Sequence, residues 1–509
     1  MVAAFDLSPR SAPLSKLAAS DWTQYAAPIM CALIVVATFT VAHYLIGGSI
    51  FPFDDPYIAL HNAQVLWSGH DSAYRGVPAL IGETSGVHLA LLMLFESFIR
   101  SDTTALFVLG ATGSVAYVLG LYAACINVGC SRLLATLIAL SGLIVGGAIF
   151  KLLNGLETGL AMAAIAWDIA LLIDRKRIVA LSILCGLMTF IRPELAFLAI
   201  ASMAVVFWEH RCSAESVKAV AICALVLLPL LAWYWIDTGS PIPSTIGAKT
   251  YFFAQRFLPL RIKLILLIRD LIPALAAVSP LFLCAGFIRP PAVRRILLLF
   301  TAVFLASYLW RFPSGFAEND ERYLFPFVPI ILFSVACGLS SSRRQERAIA
   351  ISCVVLSLLF VPFGIIHQFR NYREYLTGYR LSLDDTVRWM NRNLPAGSIV
   401  MLHDAGYAAY AGHFALVDLA GLKTPAAAEI NKHLTYPSAG RLRAEAIAQI
   451  AAQFHPGYLL TFHGWDHAFQ FANALRDHGW TVRQIYEGRA PVGTPAQDVY
   501  VLYQLQPPQ

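Results

Sequence analysis

Long apolar stretches recur through the first 370 residues, each bounded by short polar or basic connectors, and this alternation leaves few folds open. They cover residues 26–46, 87–99, 105–126, 133–150, 156–173, 178–208, 217–235, 265–288, 296–310, 324–339 and 348–366. In hydrocarbon every backbone N–H and C=O must be satisfied within the protein, so apolar runs of about 20 residues read as membrane helices. The run 178–208 is interrupted at Arg192-Pro193-Glu194, where the proline leaves room for two short helices. Composition agrees, with 58% of residues hydrophobic and 13% charged, about half the charge of a soluble domain. The expected fold is an α-helical polytopic membrane protein of about eleven transmembrane helices over residues 1–370.

Charge placement orients these segments. Arg175-Lys176-Arg177, Arg294-Arg295 and Arg343-Arg344 with Arg347 alternate with the loops 237–263 and 311–322, so the basic clusters are expected in the cytoplasm and those loops outside. A polar leader carrying Arg10 and Lys16 is expected inside, ahead of a retained first helix rather than a cleaved signal. The loop 47–86 then faces out, which requires an odd number of crossings, and the short run 87–99 is expected to be re-entrant or tilted. The net charge of +6 sits in these connectors and forms no basic-aromatic surface, so nucleic acid is not an expected partner. All nine cysteines lie in or beside apolar runs, none follows Cys353, and no spacing suits zinc.

From about residue 371 the pattern changes. A helix over 385–393, strands over 398–403 and 415–419, a helix over 441–454, a strand over 458–462, a helix over 468–477 and strands over 481–486 and 498–504 predict a small α/β domain, 371–509. It is expected on the same, extracytoplasmic side as the loop 47–86.

Within that loop Asp54 and Asp55 stand side by side where the first apolar run ends. Adjacent carboxylates there need water, a cation or a polar cavity, and their mutual repulsion suits a proton acceptor; equally, they mark the exit from the bilayer or start the helix that Pro56 favours. Apolar residues at helical spacing over 56–67 predict an amphipathic helix lying along the interface. Glu157, Arg192 and Glu194 fall in or at the edge of apolar runs. Such charges either pair with one another or line a cavity, and a guanidinium there fits phosphate oxygens two at a time. Lys249 follows the turn-rich segment 237–245, and Arg322-Tyr323 follows the polar run 318–321. Each reads either as a solvated edge or as a grip on a lipid phosphate.

Taken in order these motifs resemble GT-C glycosyltransferases that use polyprenyl-phosphate sugars, especially the terminal arabinofuranosyltransferase branch. Asp54-Asp55-Pro56-Tyr57-Ile58 with His61-Asn62-Ala63 and Gly69-His70 is similar to that family's "DDAYI…RYA…GHG" opening, Gly82-Glu83-Thr84-Ser85 to "EG-TS", and Asn154-Gly155-Leu156-Glu157-Thr158 to "SG-ET". Arg192-Pro193-Glu194 matches "RPE", Ser240-Pro241-Ile242-Pro243-Ser244-Thr245 with Ala248-Lys249 resembles "PLPNT…AK", and Arg322-Tyr323-Leu324 matches "RYL". In the tail, Asp404-Ala405-Gly406 with Tyr407 and Asp418-Leu419-Ala420-Gly421-Leu422 resemble "D-G…Y" and "DL-GL". His61 stands where the pattern has Arg, and Pro56 where it has a small residue.

The resemblance implies an inverting membrane glycosyltransferase of the cytoplasmic (inner) membrane. It would move arabinofuranose or a hexose from a polyprenyl-phosphate donor to an extracytoplasmic glycan, lipid or protein. Asp54 or Asp55 would be the catalytic base. His61, Glu83, Glu157, Arg192, Glu194, Lys249, Tyr251, Arg322 and Tyr323 would bind substrate. No metal ligand is assigned, although Mg or Mn between Asp54 and the phosphate is compatible with oxygen ligands. The alternative is a lipid-linked sugar flippase or transporter, which predicts pseudo-symmetric halves that the sequence does not display.

Overall fold

The computed structural model describes residues 19–46, 48–209, 213–490 and 495–508; the leader with Arg10 and Lys16, and Cys212, lie outside the described residues. Among the described residues, six helices are long and apolar enough to cross a membrane: Tyr25–Ile46, Asp102–Asn127, Ala214–Thr238, Pro291–Arg311, Arg322–Leu339 and Arg344–Asn393. Two bent pairs raise the number to eight if each is one span: Arg132–Ser141 with Val145–Leu152, bent by 43°, and Leu260–Ala277 with Leu281–Phe287, bent by 90°. The chain is thus a mostly helical, multi-pass membrane protein. Side chains such as Leu225 and Phe363, each 72% exposed, cover its flanks, as lipid contact requires.

Local chemistry accounts for the breaks. The run 133–150 reads as one segment in the sequence but bends where Gly146 and Gly147 take φ of 65° and 73°, a region that only glycine enters freely. Pro280, without an N–H, precedes the second half of the other bent pair. The run 178–208 divides into Ile178–Ile191 and Leu195–Glu209 at Arg192-Pro193, as its proline predicts. The run 87–99 forms Gly86–Glu96, which at 11 residues is about 16 Å long, half of a hydrocarbon core.

The helix Asp55–Ser68 differs from the interfacial helix read in the sequence. It is buried on nearly every side, His61 and Asn62 included, because its polar face is met by other polar side chains of the protein rather than by water.

The last third of the chain builds a five-stranded sheet: β1 Ile399–Leu402, β2 Ala415–Asp418, β3 Tyr458–Phe462, β4 Thr481–Glu487 and β5 Tyr500–Gln506, in the order β2-β1-β3-β5-β4. β1 runs parallel to β2 and β3, and β5 is antiparallel to β3 and β4. Alternation sorts the strand residues to two faces. Met401, Val417 and Leu459 pack with Ile447 and Leu475 of the helices Arg443–Phe454 and Phe471–Asp477, and with Phe252 of the helix Thr245–Phe253. Val400, Leu402 and Leu460 face the other way, meet Leu383 and Met390 of the helix Arg380–Asn393, and join the apolar core of the membrane helices. The sheet is therefore anchored to the bundle through a shared core, and the loop after β1 is carried to the start of Asp55–Ser68. The helix Pro425–His433 has no counterpart in the sequence reading.

Candidate functional site

Asp54 and Asp55 are separated by one peptide bond and have unlike surroundings. Both oxygens of Asp54 accept backbone N–H groups from the loop after β1, Gly406 and Tyr407, each at 2.6 Å. Glycine is required at 406 because a Cβ there would strike the Asp54 carbonyl, its carboxylate and the Ile58 amide. Burial, then the Asp404 carboxylate, raise the Asp54 pKa well above the ordinary range, against the two amide bonds and with Asp55 adding to the rise.

Asp55 opens the helix with Pro56 behind it. Its Oδ2 accepts a 2.7 Å bond from Asn319 Nδ2 and lies 3.1 Å from Arg322 Nη2 and 3.7 Å from Lys249 Nζ. Burial alone would raise its pKa, but Lys249 and Arg322, helped by Asn319, hold it below the usual carboxylate value, so Asp55 is ionised at neutral pH.

Asn319 and Arg322 arrive on a turn in which three consecutive non-glycine residues are left-handed: Asn319, Asp320 and Glu321, with φ of 47°, 58° and 65°. Such backbone is costly and persists only where its surroundings fix it. Here Asp320 is ion-paired with Lys151, itself 1% exposed, and accepts a 2.7 Å bond from Asn371. A buried pair thus clamps the turn that delivers two partners of Asp55.

Tyr323 gathers two guanidinium groups. Arg192 lies 4.5 Å and Arg322 4.8 Å from its ring centre, and Arg322 also donates to its hydroxyl at 2.9 Å. Arg192 pairs with Glu194 at 3.5 Å and Glu157 at 3.8 Å, and Tyr308 donates to Glu194 at 2.6 Å. The pairing read as the alternative in the sequence therefore exists, yet it leaves Arg192 Nη1 and Arg322 Nε buried without hydrogen-bond partners among the described residues. Both donors are matched to phosphate oxygens.

Three cavities meet here. The first, about 260 Å³, is walled by Arg192, Glu194, Lys249, Arg311, Arg322 and Tyr323. A narrow one of about 40 Å³ holds Asp55, Glu83, Thr84, His88, Glu157 and Arg322. Beyond Asp55 a third, about 260 Å³, is bounded by Asp54, Asp55, Glu318, His403, Asp404 and Trp465. Lys249 borders all three. Asp55 lines the narrow and the acidic cavities, and its partners Lys249 and Arg322 wall the cationic one.

Glu83 is 5% exposed, accepts the Ser85 N–H at 3.0 Å and an Asn62 bond at 3.3 Å, and is pushed up to about 7, chiefly by burial. Asn62 in turn accepts from Lys423 Nζ at 2.7 Å, and burial lowers Lys423 to about 8. Thr84 and Thr245 hydroxyls bond at 3.0 Å, tying the loop before residue 86 to the helix that carries Lys249. His61 lies off all three cavities, with Nε2 3.4 Å from Asp71 and its ring edge-on to Tyr74. Tyr251 follows Lys249 by two residues, about 200° around the helix. It therefore faces away, edge-on to Tyr436. Asn319 belongs to the polar run 318–321 that the sequence marks, whereas His403, Trp465 and Lys423 were not singled out; isolated residues in loops and on strand ends carry no spacing that marks them.

Among the described residues no group of three or more His, Cys, Asp or Glu side chains has metal-ligand geometry. Asp54 is engaged by amides and Asp55 by two cations, so this donor set does not fit a divalent ion between Asp54 and a phosphate.

Residues 368–503 match a family described as a domain of unknown function (DUF8728). No curated protein matches the chain by sequence. Among solved structures, ArnT from Cupriavidus metallidurans bound to undecaprenyl phosphate aligns over 96% of this chain and 98% of its own, at 13% identity and a TM-score of 0.53. The Archaeoglobus fulgidus oligosaccharyltransferase, in complex with Zn and sulfate, aligns over 92% of this chain and 72% of its own, at 14% identity and a TM-score of 0.58. The arabinofuranosyltransferase AftD from Mycobacteria aligns at 14% identity with a TM-score of 0.49 over 39% of its length, and does not single out that branch. These neighbours are GT-C glycosyltransferases, and at such low identity the likeness is one of fold.

Proposed function

We propose that the protein is a membrane glycosyltransferase that moves a sugar from a polyprenyl-phosphate donor to an acceptor hydroxyl, with inversion. The observation that carries this reading is the place of Asp55, an ionised carboxylate that lines one cavity of about 260 Å³ and is paired with Lys249 and Arg322, which wall a cationic cavity of equal size. The donor phosphate would sit against Arg322 and Lys249, with the unpartnered Nη1 of Arg192 nearby, and the acceptor would enter from the far side of Asp55. The acceptor oxygen attacks the anomeric carbon, its proton passes to Asp55, and the bond from that carbon to the phosphate oxygen breaks as polyprenyl phosphate departs. The phosphate competes with Asp55 for Lys249 and Arg322, so donor binding frees the base and raises its basicity as the acceptor arrives. Asp54, held by two amides, ties the loop after β1 to the site and acts as a positioning residue.

This reading takes the undecaprenyl phosphate seen in ArnT as the donor's chemical class and assigns arabinofuranose or a hexose as the sugar. It sets the site on the extracytoplasmic side of the cytoplasmic membrane and treats residues 371–509 as an α/β domain that presents the acceptor. Eleven crossings are reached when both bent pairs, Ile178–Ile191, Leu195–Trp208 and the helix Thr158–Asp174 each count as one and the half-length Gly86–Glu96 does not cross. Purified protein incubated with a panel of polyprenyl-phosphate sugars and acceptor glycans tests the proposal. Transfer supports it, whereas movement of the lipid-linked sugar across a vesicle membrane without transfer favours a flippase.

A further inference from the structure

We infer that a cleft apart from the three cavities around Asp55 holds the phosphate headgroup of an anionic membrane lipid. The cleft, about 660 Å³, lies between residues 240–256 and the helix Pro425–His433. Arg256, Arg311, Lys432 and His433 line it, and no carboxylate does. Two of these groups are already matched: Lys432, at 2.9 Å, and His433, at 2.8 Å, share the carboxylate of Glu429, whose one charge offsets Lys432. Arg256 donates to a neutral group, the Tyr436 hydroxyl, at 2.9 Å, and has no ion pair among the described residues. Arg311 is exposed and has neither a hydrogen bond nor an ion pair among them. Two guanidinium charges are therefore left without a counter-ion, and a guanidinium cannot shed its charge by losing a proton. Their donors match phosphate oxygens in pairs.

The surroundings favour a lipid over a soluble anion. Arg311 ends the membrane helix Pro291–Arg311, and Trp310 before it is 59% exposed, as tryptophan is where hydrocarbon gives way to headgroups. The Arg256 guanidinium lies over the rings of Trp310 and Phe257, 5.6 and 5.5 Å from their centres. With the Tyr436 bond, these rings hold it in place without a salt bridge. Ile242, also exposed, and Pro243 and Ile246 add apolar wall. A phosphate carried on a hydrocarbon chain covers both parts, whereas free phosphate would leave the apolar part bare. Arg256 follows the helix Thr245–Phe253 and Tyr436 follows the helix Pro425–His433, so the lipid would sit across the seam between them. Arg311 also lines the cavity of Arg192 and Lys249, which places this second phosphate site beside the first.

Binding here does not depend on the transfer reading, and the test uses no activity. Native mass spectrometry of the full chain in neutral detergent, with short-chain phosphatidylglycerol, short-chain phosphatidylcholine or glycerol phosphate added, reads occupancy directly. Phosphatidylglycerol is expected to bind about tenfold more tightly than either of the others. Arg256→Gln is expected to lose about that factor. Arg261→Gln removes an exposed arginine outside the cleft, and Lys249→Met alters the donor cavity alone; both are expected to stay within about twofold of the native chain. Equal binding of the two lipids, or equal effects of Arg256→Gln and Arg261→Gln, overturns the inference, because overall surface charge would then account for the affinity. Glycerol phosphate binding as tightly as phosphatidylglycerol overturns the choice of a lipid. Loss in Lys249→Met with none in Arg256→Gln puts the lipid in the donor cavity and overturns the choice of site.

Discussion

Replacing Asp55 by asparagine removes a charge and a proton acceptor while keeping the shape of the side chain. A general base contributes about 10²- to 10⁴-fold to rate, or ~3–5 kcal/mol, and that loss is expected in the transfer step. Donor binding is expected to move the other way. Asp55 lies 3.1 Å from Arg322 and 3.7 Å from Lys249, where an ion pair at an effective dielectric near 20 is worth about 5 kcal/mol before desolvation offsets most of it. Freed of this competitor, the two cations are expected to hold the donor phosphate about fivefold more tightly, a net ~1 kcal/mol. Loss of the pair costs the fold ~1–3 kcal/mol, a drop of a few degrees in the melting temperature. Single-turnover transfer from a radiolabelled polyprenyl-phosphate sugar, with donor affinity measured in parallel, reads all three. Transfer by Asp55→Asn within threefold of the native rate would refute the role given to this carboxylate.

Three further outcomes follow from named contacts. Glu83 has a folded pKa of about 7 against 4.5 ordinarily, so between those values the unfolded chain loses its proton first and stability falls as pH rises. That share, ~3 kcal/mol and complete above pH 7, is expected to vanish in Glu83→Gln, and equal melting slopes between pH 5 and 7.5 in both proteins would contradict it. Lys151→Met leaves Asp320 buried and unpaired beneath the left-handed turn, and is expected to cost ~3–5 kcal/mol and to weaken donor binding through Arg322; an unchanged melting temperature would count against the clamp. Gly406→Ala drives a Cβ into Asp54 and the Ile58 amide, whereas Gly457→Ala meets nothing within 4 Å. The first is expected to lose at least ~2 kcal/mol and the second less than ~0.5, measured by thermal unfolding.

The sequence reading succeeded where periodicity and breakers act locally. Tyr458–Phe462 is a strand over the expected residues, and the proline at 193 divides its helical run where the sequence places the break. Local rules did not reveal the bend at Gly146 and Gly147 or the burial of Asp55–Ser68, because both depend on what packs against them. A Cβ at Gly147 would collide with Gln368, more than two hundred residues away, and Asn62 is satisfied by Lys423. The same limit applies at the site. Adjacent aspartates are visible in the sequence, but their division of labour is not, since Asp54 is met by amides at 406 and 407 and Asp55 by side chains at 249, 319 and 322. His61 carried the same promise as Lys249 by position, yet its ring is turned to Asp71.

The most direct measurement is a structure of the protein with undecaprenyl phosphate added. Phosphate density within hydrogen-bond distance of Arg322 and Lys249, with Asp55 released from at least one of them, is the expected result. Phosphate bound away from the cavity of Arg192, Lys249 and Arg322, with Asp55 still paired as before, would contradict the assignment of donor site and base together.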